Sequence, residues 1–245
     1  GSTAMKYNLS GTIADIAKVV SSYSGFAFLS NDGIVTSCGS YFDQNWNKLK
    51  FTTPSSLRVS GSTEDIVATD SCFIALKSDN TVVLWGDLGI ITEFNKISPA
   101  PTGIYSIATR QTAVALLDIV GQVQTFGFYY NNSNVKILLS TPPGLTNVKR
   151  VYTTDSAFAA LTHSGEVVVW GNPFSGGSSI NDNFMTSSSS YRDGYQGKEN
   201  SLKNVIDIVP SVNAFLAIKS DNTVSVWGDT LVGGSLVQQY YTTNK

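Results

Sequence analysis

The sequence predicts an all-β protein, a β-propeller with five recognisable four-stranded blades, and three observations carry that expectation. A stretch at 156–171, SAFAALTHSGEVVVWG, returns in four further copies. The copies are in phase: they begin at Phe26, Phe73, Val114, Phe158 and Phe215 and run to Cys38, Trp85, Phe126, Trp170 and Trp227, each followed by glycine, at Gly39, Gly86, Gly127, Gly171 and Gly228. Those glycines are 47, 41, 44 and 57 residues apart, a period that signals propellers or repeat arrays.

Each copy has the chemistry of a hairpin, at 26–39, 73–86, 114–127, 158–171 and 215–228. Phe158, Ala159, Ala160 and Leu161 form one apolar run and Val167, Val168, Val169 and Trp170 another, each too short for a helix and apolar on both faces, as in strands covered on either side. Between the runs stand Asp32-Gly33, Asp79-Asn80, Val120-Gly121, Ser164-Gly165 and Asp221-Asn222. Gly and Asn at the second position accept the positive φ of a tight hairpin turn. The glycine after each aromatic marks a place where the backbone turns and a Cβ would clash.

Seven residues before each anchor lies a β-branched residue, Val19, Ile66, Ile107, Val151 or Ile208, which predicts a preceding strand. The linkers 48–54, 96–101 and 135–142 end near proline and predict a further extended segment. Four consecutive antiparallel strands make one propeller blade, and a blade buries its two faces only between neighbours. The chain beyond residues 1–4, which read as a cloning remnant, is expected to form one propeller domain over 5–245. Extended segments at 6–10 and 237–243 leave one strand over, free to close the ring, to dock on another chain or to lead into a sixth blade.

Composition narrows the function. Charged residues make up 14% and the formal net charge is −2, so no basic footprint for nucleic acid is present. No apolar run is long enough for a membrane-spanning helix, and no secretory h-region stands near the N-terminus, which implies a cytoplasmic chain if Met5 is the native start, with a secreted or effector role as the alternative. Cys38 and Cys72 occupy apolar slots of the repeat and read as buried free thiols; with His163 the only histidine, they do not make a zinc site.

No catalytic constellation is visible. His163 sits at a turn position where other copies have Asn31, Ser78, Ile119 and Ser220, and Asp32, Asp79 and Asp221 recur because Asp in a tight turn bonds its own backbone. No nucleophile elbow, P-loop, zincin or calcium-loop pattern occurs. The expectation is a protein that is not an enzyme and has no cofactor or metal.

Two segments break the regularity. Residues 174–200 are rich in Ser and Gly and then carry Tyr191, Arg192, Asp193, Tyr195 and Lys198, which reads as a protruding recognition loop because Tyr and Arg favour interface hot spots. Residues 128–134, FYYNNSN, place Tyr129 and Tyr130 beside amides and form a second, smaller candidate.

The segments SAFAALTHSGEVVVWGNPFSGGSS and NAFLAIKSDNTVSVWGDTLVGGS resemble repeats of the regulator of chromosome condensation family, in the AFAAL..DGSVVTWG variant of bacterial and protist proteins. The resemblance covers almost the whole chain and implies a β-propeller. Relatives most often have seven blades with longer repeats, and five copies depart from that. The resemblance also implies a range of roles: nucleotide exchange on a small GTPase through a protruding wedge, nucleosome binding, light sensing, enzyme inhibition and adaptor or effector work. No exchange wedge maps onto this chain residue by residue. Trp85, Phe126, Trp170 and Trp227 take the packing position of the repeat, which argues against a light sensor.

The function expected is therefore a non-catalytic scaffold that binds another protein through loops on one face, with Tyr191, Arg192, Asp193 and Tyr195 as anchors. One alternative is a multivalent carbohydrate-binding lectin, which asks for equivalent sites in most blades. The other is a guanine-nucleotide exchange factor or effector acting on a small GTPase, with 174–200 as the only insertion long enough for a wedge.

Overall fold

A computed structural model describes residues 15–43, 45–177 and 202–229. Five antiparallel sheets follow one another along the chain. Blade 1 comprises β1 (Ile16–Ser21), β2 (Gly25–Ser30), β3 (Val35–Phe42) and β4 (Lys48–Lys50). Blade 2 comprises β5 (Thr63–Ala68), β6 (Cys72–Lys77) and β7 (Val82–Gly86), and is followed by a helix, α1 (Leu88–Asn95). Blade 3 comprises β8 (Ile104–Arg110), β9 (Ala113–Asp118), β10 (Val123–Tyr130) and β11 (Lys136–Leu138). Blade 4 comprises β12 (Val148–Thr153), β13 (Ala157–Thr162) and β14 (Val167–Gly171), and blade 5 comprises β15 (Val205–Pro210), β16 (Ala214–Lys219) and β17 (Val224–Gly228). The protein is a five-bladed β-propeller with three or four described strands per blade.

The repeat sets the register. In blade 4, Phe158 pairs with Trp170 and Ala157 with Gly171, and the same pairing recurs at Phe26–Cys38, Phe73–Trp85, Val114–Phe126 and Phe215–Trp227. The second residue of every turn has positive φ, between 60° at Asn80 and 80° at Gly33, and the closing glycine is also left-handed. At Gly171, with φ 106°, a Cβ would lie 2.7 Å from the carbonyl oxygen of Ser156. The first strand of every blade carries a bulge just after its first residue, as between Val148 and Arg150.

Packing is between blades, in four cores. Ala27, Leu29 and Val35 on the rear of blade 1 meet Ile66, Phe73 and Trp85 on the front of blade 2. Ile74, Leu76 and Val82 meet Ile104, Val114 and Phe126. Ala115, Leu117 and Val123 meet Val151, Phe158 and Trp170, and Ala159, Leu161 and Val167 meet Ile208, Phe215 and Trp227. A small residue or Leu at the rear thus faces an aromatic at the front, which is how the two surfaces interdigitate.

Main-chain hydrogen bonds join the blades at both rims. On the hairpin rim, the turn carbonyls of Asp32, Asn80, Gly121 and Gly165 accept the N–H of Gly61, Ile104, Val148 and Val205 in the next blade, at 2.6–3.0 Å. On the opposite rim, where the chain leaves each repeat, Tyr23 N–H donates to Asp70, Asp70 to Gln111 and Asp155 to Val212, each bond reaching the following blade. At the remaining junction the Gln111 side chain donates to the Asp155 carboxylate.

One linker differs from expectation. Segments 48–54 and 135–142 contribute β4 and β11, but 96–101 forms no strand. In its place Asp87 caps α1 by accepting the Gly89 N–H, and Ile90 and Phe94, four residues apart on one helix face, enter the core between blades 2 and 3. Phe94 lies 5.3 Å from the Phe126 ring. Cys72 is wholly buried and burial pushes its thiol up to about 12, whereas Cys38, on blade 1, is only half-buried. Segments 6–10 and 237–243, and the greater part of 174–200, lie outside the described residues.

Candidate interaction surface

The rim where each repeat ends is built by the closing glycines. Each redirects the chain outward, so the residues that follow form the loops of one rim. On this rim the sequence places large apolar side chains that the structure leaves exposed: Phe42 at the end of β3 and Trp46 in the loop to β4, Leu88 at the start of α1, Tyr130 at the end of β10 and Phe174 after blade 4. Tyr23, on the β1–β2 turn of the same rim, is also exposed.

Two of these loops share a frame. In 43–47 the Asp43 carboxylate accepts the N–H groups of Asn45 and Asn47 at 2.9 and 2.8 Å and the Asn47 side-chain amide at 3.0 Å. The Asn47 bonds, side chain first, with that of Asn45, hold the Asp43 carboxyl below the usual range. In 131–135 the Asn131 side-chain oxygen accepts the N–H groups of Ser133 and Val135 at 3.0 and 2.9 Å. The fourth residue of each loop is left-handed, at φ 61° for Trp46 and 56° for Asn134. Asn tolerates that conformation; a bulky aromatic rarely occupies it. Trp46 nonetheless does, with 82% of its surface exposed and its ring 6.3 Å from that of Phe42.

Inward from these loops the rim is polar. Arg110 is ion-paired with Asp155, whose second oxygen takes the Gln111 amide at 2.6 Å. Asp70 stands beside them, its carboxyl raised by burial and then by the Asp155 charge, against the opposing pull of Arg110. The base of the long insertion is well ordered by hydrogen bonds: Asn172 accepts the Phe174 N–H, and the Gly176 carbonyl accepts the Trp227 indole N–H at 3.2 Å.

The hairpin rim offers one concave site of about 450 Å³, lined by Tyr105, Asp118, Ile119, Asn147, Val148 and His163. His163 is an exposed turn residue whose N–H donates to the Asn147 carbonyl. Among the described residues no three His, Cys, Asp or Glu side chains converge as a metal site.

Of the residues singled out in the sequence, Tyr191, Arg192, Asp193 and Tyr195 lie outside the described residues. Tyr129 is half-buried against the core between blades 3 and 4, and burial raises its phenol. Tyr130 is exposed, in T-shaped contact with Phe128 at 5.8 Å. Trp85, Phe126, Trp170 and Trp227 are buried in the junctions. Trp46 and Phe42 were not legible as a site from repeat phase; the signal that marks them is the D-x-N-x-N spacing from Asp43 to Asn47.

The fold matches solved propellers. Yeast RCC1 (Prp20), in a structure bound to Kap60, is 17% identical with a TM-score of 0.52, over 87% of this chain and 56% of that one. The CRINKLY ectodomain of the Arabidopsis thaliana receptor kinase ACR4 is 14% identical with a TM-score of 0.47, over 91% and 69%. The C-terminal domain of gp131 from bacteriophage phiKZ is 13% identical with a TM-score of 0.46, over 88% and 66%. The chain spans about half the length of the first solved structures it matches, as with human WBSCR16, at 49%. No family model matches the chain, and no curated protein matches it. No described helix is long and apolar enough to cross a membrane.

Proposed function

We propose that this propeller is a non-catalytic scaffold that binds a protein partner through the rim where the repeats end. Trp46 carries the reading. A tryptophan in a left-handed conformation, held there by Asp43 and turned to solvent, has no packing role that offsets its strain, and such strain concentrates at recognition sites. Trp is also the residue most enriched at interface hot spots, and Phe42 beside it extends the apolar surface. Tyr130 and Phe174 stand at corresponding places in other blades, and Tyr191, Arg192, Asp193 and Tyr195 of the insertion form the second half of the proposed surface.

The test uses a photo-crosslinking residue at position 46, with position 119 on the hairpin rim as control, followed by titration of the purified captured protein. Trp46→Asn is expected to weaken binding at least about tenfold, the loss of a hot-spot side chain. Deletion of 187–198 is expected to weaken it further without lowering the melting temperature. Wild-type affinity in both variants would overturn the assignment.

The carbohydrate alternative asks for equivalent sites, and the lining of the hairpin-rim concavity does not recur along the sequence: Ala17, Glu64, Lys149 and Ile206 stand where Tyr105 does. Nucleotide release from purified small GTPases is the assay for the exchange-factor alternative.

A further inference from the structure

Among the described residues, blades 1 and 5 stand at the two ends of the array, with exposed surfaces whose counterparts are buried at the junctions. On the front of blade 1, Phe26 is 51% exposed, whereas its counterparts Phe73, Val114, Phe158 and Phe215 are at most 1% exposed. Val19 is likewise exposed where Ile66, Val151 and Ile208 are buried. On the rear of blade 5, Val224 is exposed where Val35, Val82, Val123 and Val167 are buried, and Leu216 and Ile218 are half-buried.

The unmatched bonding groups are complementary as well. At three of the four junctions the rim N–H donates to the following blade, and the series leaves Val212 N–H on blade 5 and the Tyr23 carbonyl on blade 1 without partners among the described residues. The turn carbonyl of Asn222, counterpart of Asn80, Gly121 and Gly165, is also without a donor there. At two of the four junctions the residues after the first-strand bulges also meet: Lys18 pairs with Asp65 at 2.6 Å, and Arg150 lies 3.8 Å from Asp207.

We infer that the front of blade 1 is an interface for the rear of blade 5 of a second copy of this chain. Apolar anchors and the N–H to C=O direction both continue the junctions within the chain. The contact is head-to-tail, so the two copies use different surfaces and association continues until the array closes on itself or extends as a stack.

Light scattering after gel filtration, from low micromolar to the highest soluble concentration, tests it. The wild type is expected to associate with rising concentration. Phe26→Asp and Val224→Asp, both at partly exposed positions, are each expected to be monomeric with unchanged circular dichroism. Mixed, they retain one intact front and one intact rear and are expected to give a one-to-one dimer and nothing larger. Val19→Asp replaces Phe26→Asp if the latter loses its fold. A wild type that stays monomeric overturns the inference, and means that the faces are covered by the chain's own 1–14 and 230–245 or by another protein. Loss of association in Phe26→Asp but not in Val224→Asp overturns it too, since it marks a symmetric front-to-front dimer.

Discussion

Phe26 in blade 1 and Phe158 in blade 4 are the same residue at the same register position, each paired across its hairpin with the residue before a closing glycine. One is half-exposed and the other fully buried. The difference lies in what stands in front of each blade: Phe158 faces Ala115, Leu117 and Val123 of blade 3, and Phe26 faces no described blade. A repeat sequence thus encodes a surface, and only its neighbour makes that surface a core.

The sharpest way to break the comparison is to truncate both rings. Phe158→Ala is expected to cost about 3–5 kcal/mol, as for a buried Phe, and Phe26→Ala about 1 kcal/mol, because half of its surface stays in water. Urea unfolding in dilute solution reads both, and equal losses would mean that blade 1 is covered after all. Gly171→Ala probes the closing glycine: left-handed φ together with the Ser156 carbonyl 2.7 Å from the new Cβ is expected to destabilise by about 1–3 kcal/mol. Trp46→Asn sets the 43–47 loop against 131–135. Giving it the residue its counterpart already uses is expected to raise stability by about 1 kcal/mol, the left-handed penalty relieved, while lowering partner affinity.

The smallest effect is in acid. The Asp79 carboxylate accepts from the Lys77 ammonium and then from the Thr81 hydroxyl and N–H, which lowers it to about 2. A carboxylate depressed in the fold stabilises it above the unfolded pKa and loses that contribution as pH falls through the folded one. The gap in melting temperature between wild type and Asp79→Asn is expected to be full at neutral pH and to close between about pH 4 and pH 2.

Periodic features were legible because each is required five times. Turn residues such as Gly33 and Asn80, the closing glycines and the β-branched first strands recur at fixed offsets, and the structure places them in common register. The helix α1 was hidden because its signal, Asp87 followed by Ile90 and Phe94, occurs once and overlaps a linker that elsewhere forms a strand. Trp46 was hidden for a related reason: repeat phase sorts residues by what they pack against, and a loop side chain displayed to solvent, Trp46 in one copy and Asn134 in another, lies outside that phase.

The hairpin rim holds neighbouring blades through the carbonyls of Asp32, Asn80, Gly121 and Gly165, which are main-chain atoms. Side chains beside them therefore vary without loosening the junctions, and Asn31, Ser78, Ile119, His163 and Ser220 occupy the same position. That rim is a display platform: five positions mounted on rigid turns, open to diversification into a binding surface independent of the one proposed on the opposite side.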